Sequence, residues 1–167
     1  MGVIFYKLIF HTKAAFKKAF LKIIYGKQIH FGKKTHFRRH FYLYIDKGGR
    51  VNIGDGCFFN NNVSINCLDS ITIGKRCLFG ENIKLYDQNH RFRDFSKPIA
   101  EQGFTTKPIT IGDDCWICSN VTILQGVTIG DHSVIGAGCL IYKDVPPKTV
   151  VTADAKTSMR PIEKEGE

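Results

Sequence analysis

Aliphatic and aromatic side chains return at every sixth position through most of this chain. Ile53, Phe59 and Ile65 are followed by Ile73, Phe79 and Leu85, then by Ile111, Ile117 and Ile123, and then by Ile129, Ile135 and Ile141. These make twelve hexapeptides in four groups of three, over 53–70, 73–90, 111–128 and 129–146. The groups open alike, with IGDGC, IGKRC, IGDDC and IGDHS. The fifth place is usually small or β-branched, as at Cys57, Val63, Cys77, Cys115, Val121, Val127, Ser133, Cys139 and Val145. Helices repeat near 3.6 residues and flat strands at 2, so neither keeps a six-residue beat over this length. A short strand and a turn, repeated three times per circuit, does keep it. The pattern predicts an all-β solenoid, a parallel β-helix of about four 18-residue coils stacked at the inter-strand spacing of about 4.8 Å. First and fifth places then share one narrow interior, a large side chain against a small one.

Ahead of the beat a different period holds. Ile4, Phe5, Leu8, Ile9, Phe16, Phe20, Ile23 and Ile24 recur at three and four, with Lys7, Lys13, Lys17, Lys18 and Lys22 among them. This is the mark of an amphipathic helix, and its apolar stripe is expected to cap the open first coil. The predicted organisation is a basic helical arm over 1–45, a solenoid over 46–150 with an inserted loop at 91–108, and a tail over 151–167. A length of 167 residues suits one domain.

Charge changes the picture only at the N-terminus. The first forty residues carry ten Lys and Arg and no acid, within a chain of net charge +9. The arm alone therefore suggests an anionic partner, with peripheral membrane contact through residues 4–24 as the expectation. Its lysines interrupt any membrane span or signal sequence, which implies a cytoplasmic protein, peripheral at the inner face of the membrane. KKTHFRRHFYLY mixes bases with aromatics but matches no RNA or DNA motif, and no nucleic acid partner is expected.

The cysteines read as packing residues. Cys57, Cys77 and Cys115 share one column where a small apolar side chain is needed, and Cys115 and Cys118 lie in a repeat strand rather than before a helix. His30, His36 and His40 lack acidic or thiol companions, so no metal is expected.

The beat breaks after LYDQNHRF. His90 ends the second group, and RFRDFSKPIAEQGFTTKP (91–108) follows without period, keeping Phe92, Phe95 and Phe104 as residues that would pack on something. A loop of this length in a compact solenoid suggests function. The wording around it, NH before the loop, KPITIGDDCWI after it and GVTIGDHSVIGAGCLIYKDVPP at the close, resembles the hexapeptide-repeat acyltransferases. The resemblance runs over roughly residues 50–162 and looks most like the branch that acetylates sugars of bacterial surface polysaccharides.

That resemblance implies a left-handed β-helix, a homotrimer with each site between neighbouring subunits, and acetyl-CoA as co-substrate. It implies His90 as general base for a sugar hydroxyl, free or lipid-linked, with Asp87, Asp94 or a backbone carbonyl as candidates to orient the ring. Asn60 matches an acceptor-contacting asparagine. Trp116, Ser119, Ala137, Tyr142, Lys143 and Arg160 match positions along the coenzyme path. The chain departs from the family at Thr152-Ala-Asp-Ala-Lys156, where Gly-x-Pro-Ala is common. A basic arm also stands where maltose and galactoside acetyltransferases carry an acidic helical domain. The rival readings are an N-acetyltransferase for an amino sugar or antibiotic, and a non-catalytic β-helix scaffold.

Overall fold

Each hexapeptide becomes a short strand and a corner. The computed structural model describes residues 2–153, with side chains described at Thr12 and from Ala14 onward. Helix α1 (Gly2–Tyr25) leads into a first coil of β1 (Ile29–Phe31), β2 (His36–Phe37) and β3 (Phe41–Ile45). The second coil holds β4 (Arg50–Ile53), β5 (Phe58–Phe59) and β6 (Val63–Cys67), and the third β7 (Ser70–Ile73), β8 (Leu78–Phe79) and β9 (Lys84–Tyr86). β10 (Gln88–His90) and β11 (Phe104–Thr106) then leave the stack as an antiparallel hairpin. The fourth coil is β12 (Ile109–Ile111), β13 (Trp116–Ile117) and β14 (Thr122–Leu124), and the fifth β15 (Thr128–Ile129), β16 (Val134–Ile135) and β17 (Leu140–Ile141). β18 (Val150–Val151) extends one face.

Equivalent strands pair in parallel into three faces. They run β1-β4-β7-β12-β15, β2-β5-β8-β13-β16-β18 and β3-β6-β9-β14-β17. Corners turn tightly enough that the second-place glycines are required: a Cβ on Gly74 would lie 2.6 Å from the carbonyl carbon of Gly112 one coil on. The next corner uses Asn62, Asn82 and Asn120 at φ of 60°, 57° and 61°, a left-handed turn that asparagine tolerates.

The solenoid has five coils, not four, and begins at Ile29 rather than at residue 46. KKTHFRRHFYLY is therefore solenoid and not arm. Thr35, Phe37 and Phe41 point inward and are buried, while Lys33, Lys34, Arg38 and Arg39 are exposed on the corners. Bulky rings suit this end coil, where Phe37 stacks on Phe41 at 4.5 Å and Phe41 meets Phe59 edge-on at 5.3 Å.

α1 covers the open end, but not with the predicted stripe. Ala14 and Leu21 are buried against the first coil, whereas Phe16, Phe20, Ile23 and Ile24 are exposed. The side chains of Ile4, Phe5, Leu8 and Ile9 lie outside the described set. The end coil sets this choice, because its outward carbonyls have no preceding coil to pair with. Lys17 Nζ donates to the Phe41 carbonyl at 2.6 Å and Tyr25 OH to the Leu43 carbonyl at 2.9 Å. A stripe of phenylalanine and isoleucine has no donor to offer them.

Inside, the cysteine column is a ladder of weak donors. Cys57 Sγ and Cys77 Sγ each donate to a glycine carbonyl one coil on, Gly74 and Gly112, at 3.0 Å, and Cys115 donates to Gly130 at 3.3 Å. Contact with Cys77 pulls the Cys115 thiol down to about 7, which would make an accessible cysteine reactive. It is only 1% exposed. A thiol reagent applied to the native protein is therefore expected to modify Cys118, which is half-buried, and to spare the five buried cysteines. Peptide mass mapping before and after denaturation checks this. Fast native labelling of Cys115 would show coils that open.

Candidate active site

The interruption starts earlier than the repeat suggests. β9 ends at Tyr86, and Gln88–His90 belongs to the outgoing hairpin instead of completing the third hexapeptide. The switch occurs at Asp87, which is fully buried. Its two carboxylate oxygens accept the backbone N–H groups of Leu68 and Asp69, each at 2.8 Å. Its carbonyl accepts the N–H of Lys107, where the chain returns, at 2.9 Å. One residue thus ties the preceding coil to both strands of the excursion. The neighbouring Cys67 thiol is pushed up to about 12 by burial and by the Asp87 charge.

Beyond β10 the loop is held by its own side chains. Asp94 accepts from the Ser96 backbone N–H at 3.1 Å and hydroxyl at 2.6 Å and pairs with Lys97 at 3.5 Å, contacts that hold its carboxyl below the usual range, Ser96 most of all. Gln102 accepts from the Asp94 N–H at 3.1 Å and donates to the carbonyls of Asp94 and Lys97 at 2.9 and 3.0 Å. Phe104 faces His90 across the hairpin, with ring centroids 4.3 Å apart.

His90 stands between two clefts. One, of about 480 Å³, is lined by Tyr86, Gln88, Asn89, His90, Leu124, Gln125 and Tyr142 and runs along the later coils. The other, of about 460 Å³, lies under the loop, lined by Asn89, His90, Phe92, Phe95, Lys97, Ile99 and other loop residues. The first holds a feature the repeat did not reveal. Gln125 Oε1 is buried with no hydrogen-bond partner among the described residues, while its Nε2 donates to Thr105 Oγ1 at 3.3 Å. An unpaired buried acceptor costs stability, and this one belongs to a residue lining the same cleft as His90.

With this geometry the molecule can be set beside known proteins. A family model described as bacterial transferase hexapeptide (six repeats) matches residues 108–143. The galactoside O-acetyltransferase of Escherichia coli K12 is 39% identical over 108 residues, 65% of this chain and 52% of that one. The E. coli K12 protein designated a colanic acid biosynthesis acetyltransferase, WcaF, is 30% identical over 145 residues, 86% of this chain and 74% of that one. A crystal structure of the hexapeptide-repeat containing acetyltransferase VCA0836 from Vibrio cholerae, complexed with acetyl-CoA, is similar at a TM-score of 0.68. It is 36% identical, with 81% of this chain and 70% of that one covered. The chain belongs to the hexapeptide-repeat acetyltransferases. It spans between 42% and 60% of the length of four relatives, that galactoside O-acetyltransferase among them.

In this member of the family the residues singled out from sequence fall into two groups. His90, Tyr142 and Lys143 lie at the corner from which the hairpin emerges, with Lys143 Nζ 5.6 Å from the centre of the Tyr142 ring. Asn60, Ser119 and Ala137 lie at the preceding corner, between β5 and β6 and their equivalents in later coils. There Asn60 Oδ1 accepts from Arg38 at 3.2 Å and from the Asn61 N–H at 3.0 Å, and Ser119 Oγ accepts from the Glu81 N–H at 3.2 Å. Trp116 is half exposed on the face between those corners and the glycine corner. Arg160 lies outside the described residues.

Neither aspartate orients the His90 ring. Asp87 is committed to backbone N–H groups and Asp94 to Ser96 and Lys97. Among the described residues no helix is long and apolar enough to cross a membrane.

Proposed function

We propose that this protein transfers acetyl from acetyl-CoA to a sugar hydroxyl, with His90 as the general base, during assembly of a bacterial surface polysaccharide in the cytoplasm. The observation that carries the reading is the position of His90 at the junction of two clefts, where the solenoid opens. A hydroxyl is a weak nucleophile at neutral pH. Imidazole Nδ1 or Nε2 takes its proton as the oxygen bonds to the thioester carbonyl carbon. Collapse of the tetrahedral intermediate breaks the C–S bond, and the imidazolium returns the proton to the departing sulfur. No covalent acyl-enzyme is required.

The cleft along the later coils suits the coenzyme, with Tyr142 and Gln125 lining it and Lys143, Trp116, Ser119, Ala137 and Arg160 completing the path. The cleft under the loop suits the acceptor, together with Asn60. Because Asn60 and His90 occupy different corners of one chain, the reading uses a homotrimer in which neighbouring subunits bring the two corners together. An outward row on one face, Phe58, Leu78, Trp116, Val134 and Val150 in register, supports such packing. The relatives named for galactoside and colanic acid acetylation support a sugar acceptor.

The test is transfer of radiolabelled acetyl from acetyl-CoA into a cell-envelope extract of the source organism. Label released by mild base marks an O-acetyl ester and supports the reading. Base-stable label marks an amide and favours the N-acetyltransferase. Coenzyme binding with no transfer in the same extract favours the scaffold.

A further inference from the structure

The exposed side of α1 has no role in the fold. At about 100° per residue, Phe16, Phe20, Ile23 and Ile24 fall on one stripe of the helix, and they are 79%, 58%, 82% and 53% exposed. Ala19, also exposed, flanks the stripe, with Ala15 beyond it. The opposite side is already used, with Ala14 and Leu21 buried and Tyr25 and Lys17 bonded to the end coil. A contiguous apolar strip on a helix held rigidly from behind is the feature of a surface that meets another phase or another molecule.

Its surroundings are cationic. Lys22 and Lys27 are exposed on α1 and just after it, and Lys33, Lys34, Arg38 and Arg39 are exposed on the adjoining coil. No acidic residue precedes Asp46. Lys17 and Lys18 turn inward, the first onto the Phe41 carbonyl and the second toward the Phe31 ring, and burial lowers both. The outward basic residues therefore frame this end of the molecule without acidic partners in the same segment. A second copy of the same arm would bring like charges together, which argues against self-association through this side. A surface of anionic headgroups over acyl chains matches both the strip and its frame.

We propose that α1 docks the protein on anionic lipid bilayers, with Phe16, Phe20, Ile23 and Ile24 inserted at the headgroup–acyl boundary and the exposed lysines and arginines of α1 and the first coil against the headgroups. His90 follows the third coil, two steps or about 10 Å from the first at the inter-strand spacing, and α1 adds its own thickness of about 10 Å between that coil and the lipid. On the acetyl-transfer reading, this brings the base within reach of a saccharide carried on a membrane lipid. The docking itself does not depend on that reading.

The experiment is co-sedimentation of the full chain with vesicles of phosphatidylcholine alone and of phosphatidylcholine with 30 mol% phosphatidylglycerol (about 0.1 M salt, where screening is moderate). Phe16→Ser/Ile23→Ser changes two exposed side chains and leaves Ala14, Leu21 and Lys17 in place. Circular dichroism and the melting temperature report whether the fold is kept. The expected result is binding to the anionic vesicles that weakens in high salt, and at least about a tenfold loss of partitioning in the double variant. Equal sedimentation of the variant and the wild type would overturn the proposal. So would absence of binding to anionic vesicles, or a double variant whose only change is a smaller oligomer in solution. Acetyl transfer to a water-soluble acceptor should be unchanged in the variant, which separates failure of docking from failure of catalysis.

Discussion

Replacing His90 by alanine is expected to lower the rate of acetyl transfer by about two to four orders of magnitude, the contribution of a positioned general base, while the melting temperature stays nearly constant. The two halves of this expectation have separate grounds. His90 is exposed on β10, with its ring packed against that of Phe104. Exposed substitutions away from special features usually change stability by no more than about 0.5 kcal/mol. Any large loss of rate must then come from chemistry. His90→Gln sharpens the test, because glutamine keeps a hydrogen-bonding side chain of similar reach but takes up no proton. It should be as impaired as alanine. Single-turnover kinetics with saturating acetyl-CoA, alongside a melting curve, checks both. If either variant kept wild-type turnover, His90 would not be the base.

The solenoid was legible because a six-residue beat admits few structures, and the glycine and cysteine columns followed from it. The first coil escaped because its inward places are Phe31, Phe37, Phe41 and Leu43, and its corners are basic. Aromatic and basic residues together suggested a binding arm. A signal was nevertheless present. Phe31-Gly32 is the counterpart of Ile53-Gly54 and Ile73-Gly74, and a Cβ on Gly32 would lie 2.3 Å from the backbone of Gly54. The long connection between Ile45 and Val51 hid the beat at that point.

Phase within the repeat also contained the grouping of the site. Asn60, Ser119 and Ala137 occupy the second or third place of the middle hexapeptide, and Gln125 and Tyr142 those places in the last one. Place number determines the corner, so two groups were readable without coordinates. The role of Asp87 was not. A carboxylate two residues after Leu85 resembles a candidate partner for a histidine, and only the stacking of one coil on another shows that backbone donors consume it. α1 was read correctly as a helix with two faces, but the choice of buried face depended on unpaired carbonyls at the end coil. Periodicity carries no record of those.

Asp87→Ala is expected to destabilise the protein by about 3 kcal/mol, more than any surface change. Each hydrogen bond to a charged acceptor is worth about 1.5–3 kcal/mol, and the carboxylate accepts two, from Leu68 and Asp69. The lower half of the combined range applies because those two residues are only partly buried and water can reach their N–H groups once the side chain is gone. For a chain of this size, about 3 kcal/mol corresponds to a fall of roughly 6–12 °C in melting temperature. Asp87→Asn should recover part of this, since its oxygen can still accept one N–H while its amide faces the other as a second donor. Activity gives the more telling comparison. The same residue anchors both strands of the excursion through its place in the chain and through the Lys107 N–H on its carbonyl. Asp87→Ala keeps those backbone ties and removes the carboxylate's hold on the preceding coil. Measured well below the melting transition, it should lose turnover as the start of the hairpin shifts and takes His90 with it, while coenzyme binding along the later coils persists. A melting temperature within about two degrees of wild type would mean that water replaces the carboxylate without cost. The hairpin would then owe its position to its backbone ties, the Lys107 N–H on the Asp87 carbonyl and the β10–β11 pairing.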